Sequence, residues 1–237
     1  MSDYAAKVSA VLFDMDGVLV DSRAVIERAW REAGQLYGRV ITEDDIHRHI
    51  HGQPGPNTIR ALFHDLPRAD QEKVQAHVIH VENTADYDTI PGVARLVSRL
   101  GEAGITIGVV TSGWRYKIDR VIEMLKAKPY FSVIVERDDV ARGKPHPDPY
   151  LLAAERLGVP PARTMVFEDA GSGVTSAVTA GAYCVGIGGE ELVRNGAKLA
   201  IPDFEGVELQ AGGPEGSILS CRPGHRLLVE RLAAVQV

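Results

Sequence analysis

Cysteine is nearly missing from this chain. Of 237 residues only Cys184, inside an apolar run, and Cys221, near the end, are cysteines, and neither has the paired spacing that builds zinc or redox sites. A disulfide-stapled fold is excluded, and a reducing, cytoplasmic setting is expected. No run approaches the roughly 20 consecutive apolar residues of a membrane span. The first seven residues are short and polar and lead straight into an apolar run, so no signal peptide is expected there. A Lys/Arg-rich block is lacking as well. With 26 basic against 32 acidic residues the net charge is -6, which disfavours nucleic acid or an anionic membrane as a partner. Repeats and low-complexity tracts are also absent.

Apolar residues are plentiful at 45%, enough for a core that folds without staples. Residues 8–13 are almost continuously apolar, as in a strand buried on both faces, and Asp14 arrives as polarity returns. Past Gly17, Ser22 can cap a helix in which Val25, Ile26, Ala29, Trp30, Ala33, Leu36 and Tyr37 recur at helical spacing. Residues 23–88 hold helical pieces broken at 52–56 and at Pro67, and no convincing strand. Beyond Pro91 strands at 105–110, 131–135, 165–167 and 184–187 alternate with helices, the signature of an α/β parallel sheet. The expected organisation is a Rossmann-like core over 1–22 and 89–210, an inserted all-α cap over 23–88, and a linker with a terminal helix through Leu227, Leu228 and Leu232 over 211–237.

In an open parallel sheet, ligands sit beyond the carboxyl ends of the strands. That edge would gather Asp14 and Asp16, then Thr111, Ser112 and Gly113, then Lys144, then Glu168 and Asp169. Carboxylates alone would repel a phosphate, but carboxylates with a hydroxyl, turn amides and one ammonium suit a phosphate held beside a hard cation such as Mg²⁺. Asp14 is the candidate nucleophile, forming an aspartyl-phosphate. Asp16, two residues on and so on the same side of an extended chain, is the candidate acid and then base at the leaving oxygen.

Asp14-Met15-Asp16-Gly17-Val18-Leu19, Thr111-Ser112-Gly113, Lys144-Pro145 and Glu168-Asp169 resemble the four ordered motifs of the haloacid dehalogenase superfamily, over roughly residues 8–187. The resemblance implies a nucleophile at Asp14, a general acid/base at Asp16 and phosphate contacts from Thr111 and Lys144. It also implies Mg²⁺ held by Asp14, the Asp16 carbonyl and Asp169, with Glu168 as an outer or water-mediated ligand. The insert looks like the cap of the β-phosphoglucomutase-like and sugar- or polyol-phosphatase branch. Where the mutase pattern has a cap-entry histidine and a cap-loop arginine, this chain has Ile26 and, approximately, Gly55, which weakens a mutase reading. Asp16 argues against dehalogenation. A receiver-like phospho-acceptor module also joins acidic groups, a Thr and a Lys around an Asp, but with a different motif order and no insert.

The expected substrate is a small phosphorylated metabolite, and the expected state a monomer or weak homodimer. His51, Gly52 and Gln53 in the cap loop and Arg115 after the Thr111 turn are candidate substrate contacts, alongside Ser112 and Gly113. His47, His49 and His51 lack accompanying carboxylate spacing, so a polar helix end is favoured over a metal site. Trp114 is either a substrate contact or a shield at the cap interface.

Overall fold

The apolar run at the start of the chain is divided between two strands in two sheets. In the computed structural model, which describes residues 4–211 and 216–232, Ala6–Val8 forms β1 and Ala10–Phe13 forms β2. The break falls at Ser9, whose amide donates to the Arg163 carbonyl and whose hydroxyl accepts from the Arg163 guanidinium. All four residues of β2 are buried, because helices cover both faces of its sheet.

After β2 come the short strand β3 (Val20–Asp21) and a helical block: α1 (Arg23–Gln35), the single turn α2 (Glu43–Asp45), a π-helical turn at Ile46–Ile50, α3 (Gly55–Leu62) and α4 (Arg68–Thr84). This block has its own apolar core, where Trp30 and Phe63 pack at 6.2 Å with Ala29, Ile46, Val74 and Val78. The chain returns through β4 (Asp88–Thr89), which pairs antiparallel with β3, so exit and re-entry form one two-stranded ribbon. Two adjacent crossings let the helical block be covalently joined to the sheet at a single place.

The rest alternates: α5 (Val93–Glu102), β5 (Thr106–Val110), α6 (Arg115–Met124), β6 (Phe131–Val135), α7 (Asp148–Leu157), β7 (Thr164–Glu168), α8 (Gly171–Thr179), β8 (Tyr183–Ile187), α9 (Glu191–Arg194) and β9 (Leu199–Ile201). The sheet order is β6-β5-β2-β7-β8-β9 and every pair is parallel. Residues of α5 and α6 pack on one face with Val11 and Phe13, and residues of α7 and α8 on the other with Leu12 and Val166. Register matters most for the site. Phe13 lies opposite Val109 and Phe167, so the residues that follow β2, β5 and β7 emerge side by side at one edge.

The expected terminal helix is a correction. After β10 (Glu208–Gln210), residues Ser217–Arg222 and His225–Val229 form β11 and β12, joined by a turn at Pro223-Gly224. Leu227 and Leu228 are strand residues, and Leu232 follows the last strand. The second sheet runs β1-β12-β11-β10, with β1 parallel to β12 (Ala6 opposite Leu227, Val8 opposite Val229). A partner more than 200 residues away decides the conformation, and helical spacing of three leucines could not reveal it. Leu219, Cys221, Leu227 and Val229 are buried in the cluster that also holds α5 and α6. The expected linker falls largely on residues 212–215, outside the described residues. Among the described residues no helix is long and apolar enough to cross a membrane, and both cysteines are buried and unpaired.

Candidate active site

Strand β2 ends at Phe13, and the Asp14 amide still donates to the Phe167 carbonyl at 3.0 Å, holding the residue at the sheet edge. Likewise the Thr111 amide after β5 donates to the Val135 carbonyl at 2.9 Å. The Thr111 hydroxyl accepts from the Gly113 amide at 3.0 Å, which shapes the Ser112-Gly113 turn. Lys144 reaches this edge from the loop after β6. Its ammonium donates to Asp14 Oδ1 (2.6 Å), Glu168 Oε1 (2.5 Å) and the Val110 carbonyl (3.1 Å), so all three of its protons are used. Tyr150 from α7 donates its hydroxyl to the same Glu168 oxygen at 2.6 Å.

One oxygen each of Asp14, Glu168 and Asp169 lies within 4.8 Å of the others. Burial, with the charges of Glu168 and Asp16 adding and Lys144 opposing, pushes the Asp14 carboxyl up to about 7. Burial, then Asp14 and Glu168, raises Asp169 well above the carboxylate range. Burial alone would lower the Lys144 ammonium, but Asp14 and Glu168 reverse the sign and raise it. Lys144 serves Asp14 and Glu168, Asp169 faces the Arg23 guanidinium at 3.7 Å, and burial with mutual repulsion raises both Asp14 and Asp169 in this crowded carboxylate cluster. An all-oxygen donor set of this kind fits a hard divalent cation.

Asp16 is arranged differently. Its Oδ1 accepts from the Ser22 hydroxyl at 2.5 Å and from the Lys117 ammonium at 2.6 Å. Ser22 therefore stands at the start of α1 without capping it, since its hydroxyl turns back to Asp16. Gly17 takes φ +74°, and a Cβ there would overlap Asp169 Oδ2. Gly17→Ala is expected to cost about 1–2 kcal/mol in backbone strain and, by displacing Asp169, to weaken divalent-metal affinity by about tenfold or more. Metal titrations followed by thermal shift check this, and unchanged affinity would refute the role given to Asp169.

A single cavity between sheet edge and helical block is lined by Asp14, Asp16, Thr111, Ser112, Gly113, Lys144, Glu168 and Asp169 from the core and by His51, Gly52 and Gln53 from the cap loop. The His51 ring nitrogen Nε2 lies 3.0 Å from Glu27 Oε1, and burial pulls its pKa below the ordinary value. Ser172 at the start of α8 donates to the Gly52 carbonyl at 2.9 Å, tying the cap loop to the core. Arg115 is a correction: it is not among the cavity residues, because its guanidinium turns to Glu136 Oε1 at 2.7 Å. Trp114 lines the cavity and also bonds Asn83 at the end of α4 (2.9 Å), so it serves the interface.

Groups missed from sequence include Lys117, Glu82, Tyr150 and Arg23, whose guanidinium lies 3.7 Å from Asp169 Oδ2. Glu82 continues the apolar face Val74-Val78 at four-residue spacing, and Lys117 adjoins Ile118 on the buried face of α6. A charge interrupting an apolar stripe was the available signal.

Residues 11–187, which contain every residue of this cluster, match the family described as haloacid dehalogenase-like hydrolase. The chain belongs to the haloacid dehalogenase-like hydrolases. It is 35% identical over 178 residues to hexitol phosphatase A of Escherichia coli, covering 74% of this chain and 81% of that protein. It is 27% identical over 216 residues to β-phosphoglucomutase of Bacillus subtilis, covering 86% and 93%. A crystal structure of a family IA, variant 3 HAD hydrolase from Entamoeba histolytica superposes with a TM-score of 0.72 at 29% identity, covering 83% of this chain and 94% of that one. This HAD-like hydrolase carries β10, β11 and β12 beyond the matched residues.

Proposed function

We propose that the protein is a Mg²⁺-dependent phosphatase that hydrolyses a small sugar or polyol monophosphate through an aspartyl-phosphate on Asp14. The observation that carries this is the Lys144 ammonium locked between Asp14 and Glu168 beside a third carboxylate and the Thr111 hydroxyl. Asp14, the Asp16 carbonyl and Asp169 would hold the cation, with Glu168 behind them supporting Lys144. Bound there, Mg²⁺ supplies the charge that lets an anionic nucleophile meet an anionic phosphate.

The chain's own groups do the rest. With Oδ1 bonded to Lys144, Asp14 directs its other oxygen at phosphorus, and a new P–O bond forms as the bond to the leaving oxygen breaks. Asp16 gives its proton to that oxygen. It then takes a proton from water as the water attacks the acyl phosphate, releasing phosphate and restoring Asp14. Thr111, the Ser112-Gly113 amides and Lys144 bind the phosphate oxygens.

The cap side of the cavity suits a hydroxylated leaving group. It presents Gln53 and Gln75, the basic Arg23 and His51 and the apolar surfaces of Ile26, Trp30 and Val78, and its one acid is Glu82. Ile26 and Gly55 line the cavity where the mutase pattern has a histidine and an arginine. The lack of that histidine and arginine supports hydrolysis over a mutase cycle, and the hexitol phosphatase name of the E. coli relative supports the same reading. The test is phosphate release from a panel of sugar and polyol monophosphates with Mg²⁺ and with EDTA. Turnover that needs Mg²⁺ supports the reading, and no release from any member overturns it.

A pH dependence follows from Asp14. Its carboxyl is raised from 3.8 to about 7 in the folded, metal-free protein. Its stabilising contribution is complete below pH ~4 and is lost as pH rises towards ~7, because the unfolded chain ionises first. In EDTA this group is expected to lower the melting temperature across that window, and the stabilisation by Mg²⁺ is expected to grow over the same range as the competing proton leaves. Melting curves from pH 4 to 8 check it, and parallel curves with and without metal would contradict it.

A further inference from the structure

The helix α6 belongs to the core, yet one of its faces grips the end of cap helix α4. Trp114, Lys117 and Arg120 recur every three residues on that face. Trp114 Nε1 bonds Asn83 Oδ1 at 2.9 Å, Lys117 Nζ bonds Glu82 Oε2 at 2.6 Å, and Arg120 bonds the carbonyls of Asn83 and Ala85. Of the three, Lys117 alone also bonds a carboxylate of the catalytic edge, donating to Asp16 Oδ1 at 2.6 Å. Its side chain is 1% exposed, and its ammonium lies 5.4 Å and 5.7 Å from the ring centroids of Tyr87 and Trp114. So buried a cation is held in place by its two carboxylates and has little freedom to move away.

The atom chosen on Asp16 is informative. Ser22 and Lys117 both donate to Oδ1, and among the described residues Oδ2 accepts no side-chain hydrogen bond. The carboxylate is gripped by one oxygen and presents the other. We propose that Lys117, anchored by Glu82 of the cap, is the positioning residue for proton transfer: it fixes the Asp16 rotamer so that Oδ2 faces the leaving oxygen. The cap contributes through Glu82, so completion of the acid/base geometry depends on the end of α4 being seated on α6. This inference rests on the phosphatase reading and adds to it a residue outside the four motifs.

Leaving-group dependence separates positioning from mere support. Departure of p-nitrophenolate needs no proton, whereas departure of an alkoxide from a polyol phosphate does. The experiment measures kcat/KM, with Mg²⁺, for p-nitrophenyl phosphate and for the best alkyl monophosphate of the panel. It compares the wild type, Lys117→Met, and the double variant Lys117→Met/Glu82→Met, which leaves no orphaned charge on Glu82 should the single variant misfold. The expected result is a loss of about 100-fold on the alkyl substrate and less than about 5-fold on the aryl one, in whichever variant melts like the wild type. Equal losses on both substrates, or no loss on either, overturn the positioning role alone. A wild type that hydrolyses neither substrate overturns the phosphatase reading, and this inference with it.

Discussion

Asp14→Asn is expected to lower phosphate release by a factor on the order of 10⁴ or more, with no loss of thermal stability in EDTA. The amide is isosteric with the carboxyl but is a poor nucleophile and a weaker ligand for a hard cation, so both roles proposed for Asp14 should suffer. Stability responds in the opposite direction. Asp14 is a buried carboxylate whose ionisation is opposed by burial and by Glu168 and Asp16, and the substitution removes that conflict while Lys144 keeps Glu168 as its partner. Rate and melting temperature should therefore separate. Steady-state phosphate release and melting curves on one preparation measure both, and turnover close to wild type would dismiss the nucleophile assignment.

Legibility in the sequence followed the range of the forces involved. The strands Ala10–Phe13 and Thr106–Val110 declare themselves because burial on both faces forces nearly continuous apolar residues. The edge cluster is legible for a related reason: polarity returns where such strands end, and Asp14, Thr111 and Asp169 stand at those points. Ser22 shows the limit. Ahead of an amphipathic helix a serine reads as a cap, but a carboxylate six residues earlier takes its hydroxyl. The β12 strand was lost for want of long-range information, since its pairing with β1 links the two ends of the chain. Arg115 was misplaced because a residue next to the Ser112-Gly113 turn points into or away from the cavity according to the first turn of α6, and Glu136 settles that direction. Lys117 and Glu82 were legible in principle, each being a charge on an apolar face, although only the fold shows that they meet.

Lys144→Met is expected to reduce activity by a factor on the order of 10³ and to destabilise the metal-free protein by about 3–5 kcal/mol. Lys144 is 4% exposed and bonded to Asp14, Glu168 and the Val110 carbonyl, so its removal leaves two buried carboxylates without their cation. Methionine retains most of the volume, which confines the effect to charge and hydrogen bonding. The sign of the pH effect follows. Lys144 is the group that pulls the Asp14 carboxyl down against burial, so without it Asp14 holds its proton to higher pH. The acidic limb of the rate profile should move upward, and the deficit against wild type should be larger at pH 6 than at pH 8. Raised Mg²⁺ should recover part of the loss, because the cation competes for the same proton. Were Lys144 only a phosphate contact, the variant would raise KM at every pH and leave the limb in place, so the position of that limb decides whether the ammonium acts on the nucleophile or on the substrate alone.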